Sequence, residues 1–193
     1  MKLGPKAMEA LRKEVPGCLS AGDELVIAGP IGMQGTAELV KEFESALSKR
    51  LSRRFLKDAE KLSETYGEVL PEEKIRELAK EAGADFVFEI GEGGFLSALW
   101  KAAEVSDVGL SVDLRKVPIR QETIEVCECL DVNPYRLLAG KSYLIGIRGG
   151  DFLVQELRRA GVMAELIGQT NTENARLLYS GGNPRYLDRP EKI

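Results

Sequence analysis

The sequence predicts a layered fold of the α+β (α/β layers) class, with a mixed β-sheet and flanking helices packed on it. Three observations predict it. Strand-length apolar runs alternate with segments whose apolar residues recur at helical spacing, in the order strand, helices, strand, helix, strand, helices, strand, helix. Glycine-rich turns twice join a strand directly to a helix. Two or three strands end the chain, and the turn Ser180-Gly-Gly-Asn183 between them favours some antiparallel pairing.

The elements follow in order. Met8, Leu11 and Val15 lie at helical spacing in a short amphipathic lead-in that Pro16-Gly17 breaks. After the turn Ala21-Gly22-Asp23, Glu24–Ala28 reads as a strand. Gly29-Pro-Ile-Gly-Met-Gln-Gly35 is a glycine-rich turn, and Thr36 is placed to cap a helix carrying Leu39, Val40, Phe43 and Leu47. Phe55, Leu56, Ala59 and Leu62 continue helical spacing, and Gly67 ends that helix. The cluster Lys49, Arg50, Arg53 and Arg54 reads as a solvated face; its alternative role is to meet a phosphate. Pro71 opens the next helix with acids in its first turn, Ile75, Leu78 and Ala79 form its apolar face, and Gly83 closes it.

The central stretch runs from Asp85 to Glu104. Phe86, Val87, Phe88 and Ile90 suit a buried strand. Gly91, Gly93 and Gly94 allow a tight turn, and Phe95, Leu96, Leu99, Trp100 and Ala103 then recur at helical spacing. Such a turn presents unpaired backbone N–H groups that suit an anion; the plainer reading is that the glycines let the helix pack closely on the strand. Glu89 and Glu92 flank the turn. Paired carboxylates can hold Mg²⁺ or act as acid and base, and can equally be ordinary acids near a positive helix end.

Val108–Leu114 reads as a strand, and a helix with Thr123, Ile124, Val126, Cys127 and Leu130 starts near Ile119 or Arg120. Asn133-Pro134-Tyr135 starts a short helical turn. Gly140-Lys141-Ser142 precedes the strand Tyr143–Ile147 rather than a helix and lacks the spacing of a phosphate loop. Gly149-Gly150-Asp151 begins a helix with Phe152, Leu153, Leu157 and Ala160 on its inner side. Met163–Gly168 and Ala175–Tyr179 are strands, and Pro184–Asp188 pairs briefly across the last turn.

Composition narrows the chemistry. The 193 residues suit one domain. A net charge of −4 and a pI of about 5.2 argue against a broad nucleic-acid-binding face. No apolar run reaches the roughly 20 residues of a membrane helix, and no signal peptide is visible, so a cytoplasmic protein is expected. The chain has no histidine, which removes Ser-His and Cys-His nucleophilic machinery. Cys127 and Cys129 point to different helix faces and Cys18 is remote, so neither a disulfide framework nor a metal site is expected.

Four stretches, in order, resemble the C-terminal domain of the AIR synthase-related (PurM-like) superfamily, and most closely the hydrogenase expression/formation (maturation factor) proteins and their AIR-synthase-related relatives. They are Ala21–Thr36, Glu92–Trp100, Val108–Asp113 with Val117-Pro-Ile, and Asn133-Pro-Tyr-Arg-Leu137. The resemblance covers roughly residues 20–190 and implies a PurM C-terminal domain-like fold, partly ferredoxin-like, over residues 20–193, with 1–19 as a helical lead-in. It also implies a parent chemistry in which ATP and Mg²⁺ phosphorylate or activate a substrate, the nucleotide sitting mostly on an N-terminal domain. That domain is expected to be missing here.

The departures from the family are specific. Where the family's motif reads His-Asp-x-Thr-Glu-Gly-Gly, this chain reads Phe88-Glu89-Ile90-Gly91-Glu92-Gly93-Gly94. The C-terminal cysteine of the maturation proteins is also expected to be missing, since the sequence reads Pro-Glu-Lys-Ile193 at its end. The expected function is therefore a ligand- or partner-binding module that is not active alone. The alternative is one half of a split ATP-dependent synthase or hydrogenase maturation enzyme; a fragment or decayed copy of a longer enzyme is the third. Glu89, Gly91, Glu92, Gly93 and Gly94, with Gly32 and Gly35, are the ligand-binding candidates. No catalytic residue or metal ligand is assigned. The expected partners are a second copy of the chain, in a homodimer, and a separate protein carrying the nucleotide-binding domain; nucleic acid and membrane are not among them.

Overall fold

The computed structural model describes residues 3–62, 64 and 72–190. Gly67 and Pro71, expected as a helix end and a helix start, lie outside the described residues. The helices are α1 (Pro5–Glu14), α2 (Met33–Leu47), α3 (Arg53–Glu60), α4 (Glu72–Glu81), α5 (Gly94–Ser106), α6 (Gln121–Leu130) and α7 (Gly150–Arg159). The strands are β1 (Glu24–Ala28), β2 (Phe86–Glu89), β3 (Gly109–Asp113), β4 (Tyr143–Ile147), β5 (Ala164–Asn171), β6 (Arg176–Tyr179) and β7 (Arg185–Tyr186). Two short 3-10 turns, Leu114–Lys116 and Pro134–Arg136, join β3 to α6 and α6 to β4.

The seven strands form one sheet in the order β2-β4-β1-β5-β3-β6-β7. β1 pairs antiparallel with β4 on one side and β5 on the other. β3 and β6 run parallel, while β6 and β7 close the expected terminal hairpin, so the sheet is mixed. Leu25, Ile27, Phe86, Phe88, Leu144 and Leu110 face one layer, built from α5 and α1. Val26, Ala28, Tyr143, Ile145 and Ile147 face the other, where α4 brings Ile75 and Ala79 and α7 brings Leu153 and Leu157. β1 is buried on both faces, which is why it reads as an unbroken apolar run. A smaller cluster of Val40, Leu47, Leu56, Ala59 and Val126 joins α2, α3 and α6.

Helix α5 is the most enclosed element: ten of its thirteen residues are buried. The sheet covers one side, and α1, the turn at Pro134–Arg136 and the C-terminal segment cover the rest. A helix covered all round needs small or apolar residues all round, which Ala98, Leu99, Ala102 and Ala103 provide. The lead-in is part of the same core. Leu11, Val15 and Leu19 are buried in it, and the Leu19 N–H donates to Ser106 Oγ at 2.8 Å.

Three local expectations are corrected. Thr36 does not cap α2. Gly32 does, in the left-handed region at φ 75°, and Thr36 sits one turn inside, its hydroxyl donating to the Gly32 carbonyl at 2.7 Å. Phe152 does not face inward: it is 59% exposed, because α7 turns Leu153 and Leu157 to the sheet. Phe43 is also exposed, at a non-helical residue where α2 kinks, so the apolar stripe breaks there.

Two predictions follow from packing. A Cβ added at Gly94 would lie 2.6 Å from the Arg136 carbonyl carbon and the Leu137 carbonyl oxygen, at φ +69°. Gly94→Ala should therefore destabilise by about 3 kcal/mol or more in urea denaturation. Gly91 has open space around it and no positive φ, so Gly91→Ala should stay within about 0.5 kcal/mol. Similar losses from both would refute the packing account. Burial pushes the Cys127 thiol up to about 11, whereas Cys18 is exposed. With a disulfide reagent at about pH 8, Cys18 should react at once and Cys127 only as fast as the protein opens. Rapid labelling of Cys127 in the folded state would contradict this.

Candidate functional site

Edge strand β2 delivers the glycine turn. Alternation buries Phe86 and Phe88 and leaves Glu89 exposed. The chain is then fixed from two sides. The Ile90 N–H donates to the Ser142 carbonyl at 2.8 Å, and the Ser142 hydroxyl donates to the Pro30 carbonyl at 2.5 Å. The Gly94 N–H turns back to the Gly91 carbonyl at 3.1 Å, and Gly93, at φ 80°, caps α5.

The seven candidate residues fall into four settings. Glu89, Gly91 and Glu92 line a small cavity of about 330 Å³. Glu92 and Gly93 line a larger cleft of about 630 Å³ next to it. Gly94 is buried beneath the backbone of residues 135–137, where only a glycine fits. Gly32 and Gly35 are buried on the other side of the same segment. The Gly35 N–H donates to the Leu138 carbonyl at 2.9 Å, and a Cβ there would meet Leu137 Cβ at 2.9 Å. The structure thus groups the residues around β2 and α5, and Gly32 and Gly35 line neither of these two cavities. Lys49, Arg50, Arg53 and Arg54 are exposed and line neither cavity.

The segment over Gly94 is itself anchored. Asn133 Oδ1 accepts from the Tyr135 N–H at 3.0 Å, and the Tyr135 hydroxyl donates to the Leu114 carbonyl at 3.0 Å. The Tyr135 ring packs on Phe95, and burial raises its phenol above the usual range.

The wider cleft contains residues that sequence reasoning missed. Lys101 is buried on α5, and its ammonium donates to Glu14 Oε1 of α1 at 2.5 Å. Arg136, from the turn before β4, and Arg185 and Arg189, from the C-terminal segment, join Lys101 on the wall. Glu14, Glu92 and Asp188 are the carboxylates there, and Glu14 is spent on Lys101. Among the described residues, Arg136, Arg185 and Arg189 are in no ion pair. Leu96, Leu178 and Leu187 supply apolar wall, and Tyr186 stands 72% exposed at the rim. The one sequence signal for Lys101 was its place among Trp100, Ala102 and Ala103 on an otherwise apolar helix. The arginines gave no signal, because the fold of the tail brings them in. No group of three or more acidic or cysteine side chains is arranged to hold a metal among the described residues. No described helix is long and apolar enough to cross a membrane.

Known proteins share this fold. A Methanocaldococcus jannaschii protein bearing the name hydrogenase expression/formation protein is 24% identical over 163 residues, covering 79% of this chain and 43% of its own. Escherichia coli HypE, a hydrogenase maturation protein, superposes with a TM-score of 0.71 at 18% identity, over 90% of this chain and 51% of that one. HypE solved in complex with ATP gives 0.67 at 18% identity, over 92% and 53%. The chain thus spans about half the length of these relatives, and the superpositions establish the PurM C-terminal-like fold. Residues 20–178 match the family described as AIR synthase related protein, C-terminal domain, and the chain is a member of that family.

Proposed function

We propose that the chain is a binding module of the AIR synthase-related C-terminal type, taking an anionic ligand in the cleft beside the start of α5. One observation carries the reading: Lys101, Arg136, Arg185 and Arg189 converge on a cleft of about 630 Å³ that the Glu92-Gly93 turn borders. Guanidinium groups match the edge of a phosphate or carboxylate, and a helix N-terminus adds favourable potential for negative charge. The volume suits a small molecule. Leu96 and Leu187 would cover its apolar part.

At the family's motif, Phe88 and Gly91 offer no side-chain group that can donate, accept or move a proton. Glu89 and Glu92 are the titratable side chains left there. This supports a module whose chemistry, where there is any, needs groups brought by a partner: a second copy or a protein carrying a nucleotide-binding domain. The second reading is one part of an ATP-dependent enzyme. Glu89 and Glu92 favour it, since both line the small cavity and carboxylates can hold the metal of a Mg²⁺-nucleotide. So does the span of about half the length of a HypE that was solved with ATP.

Calorimetric titration separates the two. The module reading expects saturable heat with inorganic pyrophosphate at one site per chain, weakened about tenfold or more by Arg136→Gln with Arg185→Gln. The enzyme reading expects saturable heat with Mg-ATP and little with pyrophosphate. No heat from either probe would sink the anion-binding reading. Stability gives a second test. Glu14→Ala would strand the buried Lys101 ammonium and should cost about 1–3 kcal/mol in urea denaturation. Lys101→Met should be close to neutral in stability, since Met fills similar space without burying a charge and the half-exposed Glu14 carboxylate it leaves unpaired stays in water, yet weaken pyrophosphate binding. An equal loss of stability from both would show that the pair serves the fold alone.

A further inference from the structure

The C-terminal segment Leu187–Pro190 crosses α5 and divides the surface there. On the far side of it from the cleft just described lies a second cavity, of about 560 Å³. The two share Leu187 and Arg189 and otherwise have separate walls. We infer that this second cavity is a binding site for a small organic oxyanion, in which three arginines from distant parts of the chain meet beside Trp100.

The arginines have different jobs. Arg176, on β6, is the fixed one. It donates to Glu104 Oε2 at 2.7 Å, both side chains are largely buried, and its guanidinium carbon lies 5.3 Å from the centre of the Trp100 ring. Its Nε is buried without a hydrogen-bond partner among the described residues. Glu104 therefore neutralises the charge of Arg176 but leaves its donors incompletely used. Arg189 lies over the same ring at 5.8 Å, and Arg12 reaches the cavity from α1. Among the described residues, neither Arg12 nor Arg189 is in an ion pair. Glu104 and Asp107 are the carboxylates on the wall, and Glu104 is committed to Arg176.

Contact with the indole face holds a guanidinium in place while leaving its N–H edge for a ligand. That edge fits two oxygens of a carboxylate or a phosphate side by side. Met8, Val105 and Leu187 complete the wall with apolar surface. The ligand that uses all of this has one oxyanion group and a short hydrocarbon body. A bare inorganic ion would leave the apolar wall unused.

Trp100 is the sole tryptophan of the chain, so its fluorescence reports on this cavity directly. The experiment titrates the full chain with butyl phosphate and with hexanoate, neither of which absorbs at the exciting wavelength, against sodium chloride of equal ionic strength. The expected result is a saturable change in the millimolar range or below with at least one of the two. The better probe names the preferred oxyanion. Arg12→Gln, at an exposed position on α1, should weaken that binding at least fivefold while leaving the unfolding midpoint unchanged. Arg12→Lys should fall between, because it keeps the charge and loses the fork. Arg185→Gln, which removes an arginine from the first cleft alone, should leave the titration as it was. The inference is overturned if chloride reproduces the change, if neither probe saturates, or if Arg12→Gln titrates like the unaltered chain. It stands or falls apart from the pyrophosphate site, since Arg12 touches only this cavity and Arg185 only the other.

Discussion

The backbone of residues 135–138 lies against two glycine turns at once, and the rest of the structure is arranged around that contact. On one side, Gly94 lets it approach the start of α5; on the other, Gly35 lets it approach the start of α2. Any side chain at Gly94 would collide with backbone atoms, which cannot swing away as a flexible side chain can. The contact holds the first turns of both helices against one piece of chain. It also accounts for the different fates of the two turns. Backbone carbonyls of Leu138 and Ala139 accept the N–H groups at the start of α2 and seal it. The start of α5 borders a cleft.

The sheet decides where that cleft can be. β1 sits inside the sheet and is covered on both faces, so it has no surface to offer a ligand. β2 is at an edge, and the turn that leaves it emerges where the sheet stops. The opposite edge ends in the short β7, whose continuation crosses α5 and carries Arg189 to the tryptophan face. Elements from opposite ends of the sheet thus meet over one helix. The charges they bring are what separate this surface from an ordinary helix-packing seam.

Much of the fold was legible in the sequence. β1 and β4 have the bounds read from their apolar runs, because strands buried on both faces carry that pattern with little interruption. The central strand–turn–helix was equally plain. Phe152 and Phe43 were misplaced because an apolar residue next to a helical stripe need not belong to it; the neighbours that would have decided the matter are distant in sequence. The candidate site was legible only in part. Glu89, Gly91, Glu92 and Gly93 came from a local motif and do line cavities. Lys101, Arg136, Arg185 and Arg189 become a group only when the tail and α1 fold over α5, and no local spacing encodes that. The glycines taught a similar lesson: Gly91, Gly93 and Gly94 look alike in sequence, but Gly94 alone is pressed against foreign backbone.

The pairing of β1 has a consequence for how the chain is made. Neither of its sheet neighbours is nearby in sequence: one spans residues 143–147 and the other 164–171. β1 therefore waits for the segments that follow it, through residue 147 and then 171, before its edges are hydrogen-bonded. Until then it is a bare, apolar ribbon, able to pair with any other extended segment. Contacts this distant slow folding, since the loop they close must be ordered before the pairing rewards it. During synthesis the apolar faces of α1 and α2 are the cover within reach for that strand. The N-terminal half is thus poised as an incomplete layer, and the sheet locks only when its centre is filled from the far end.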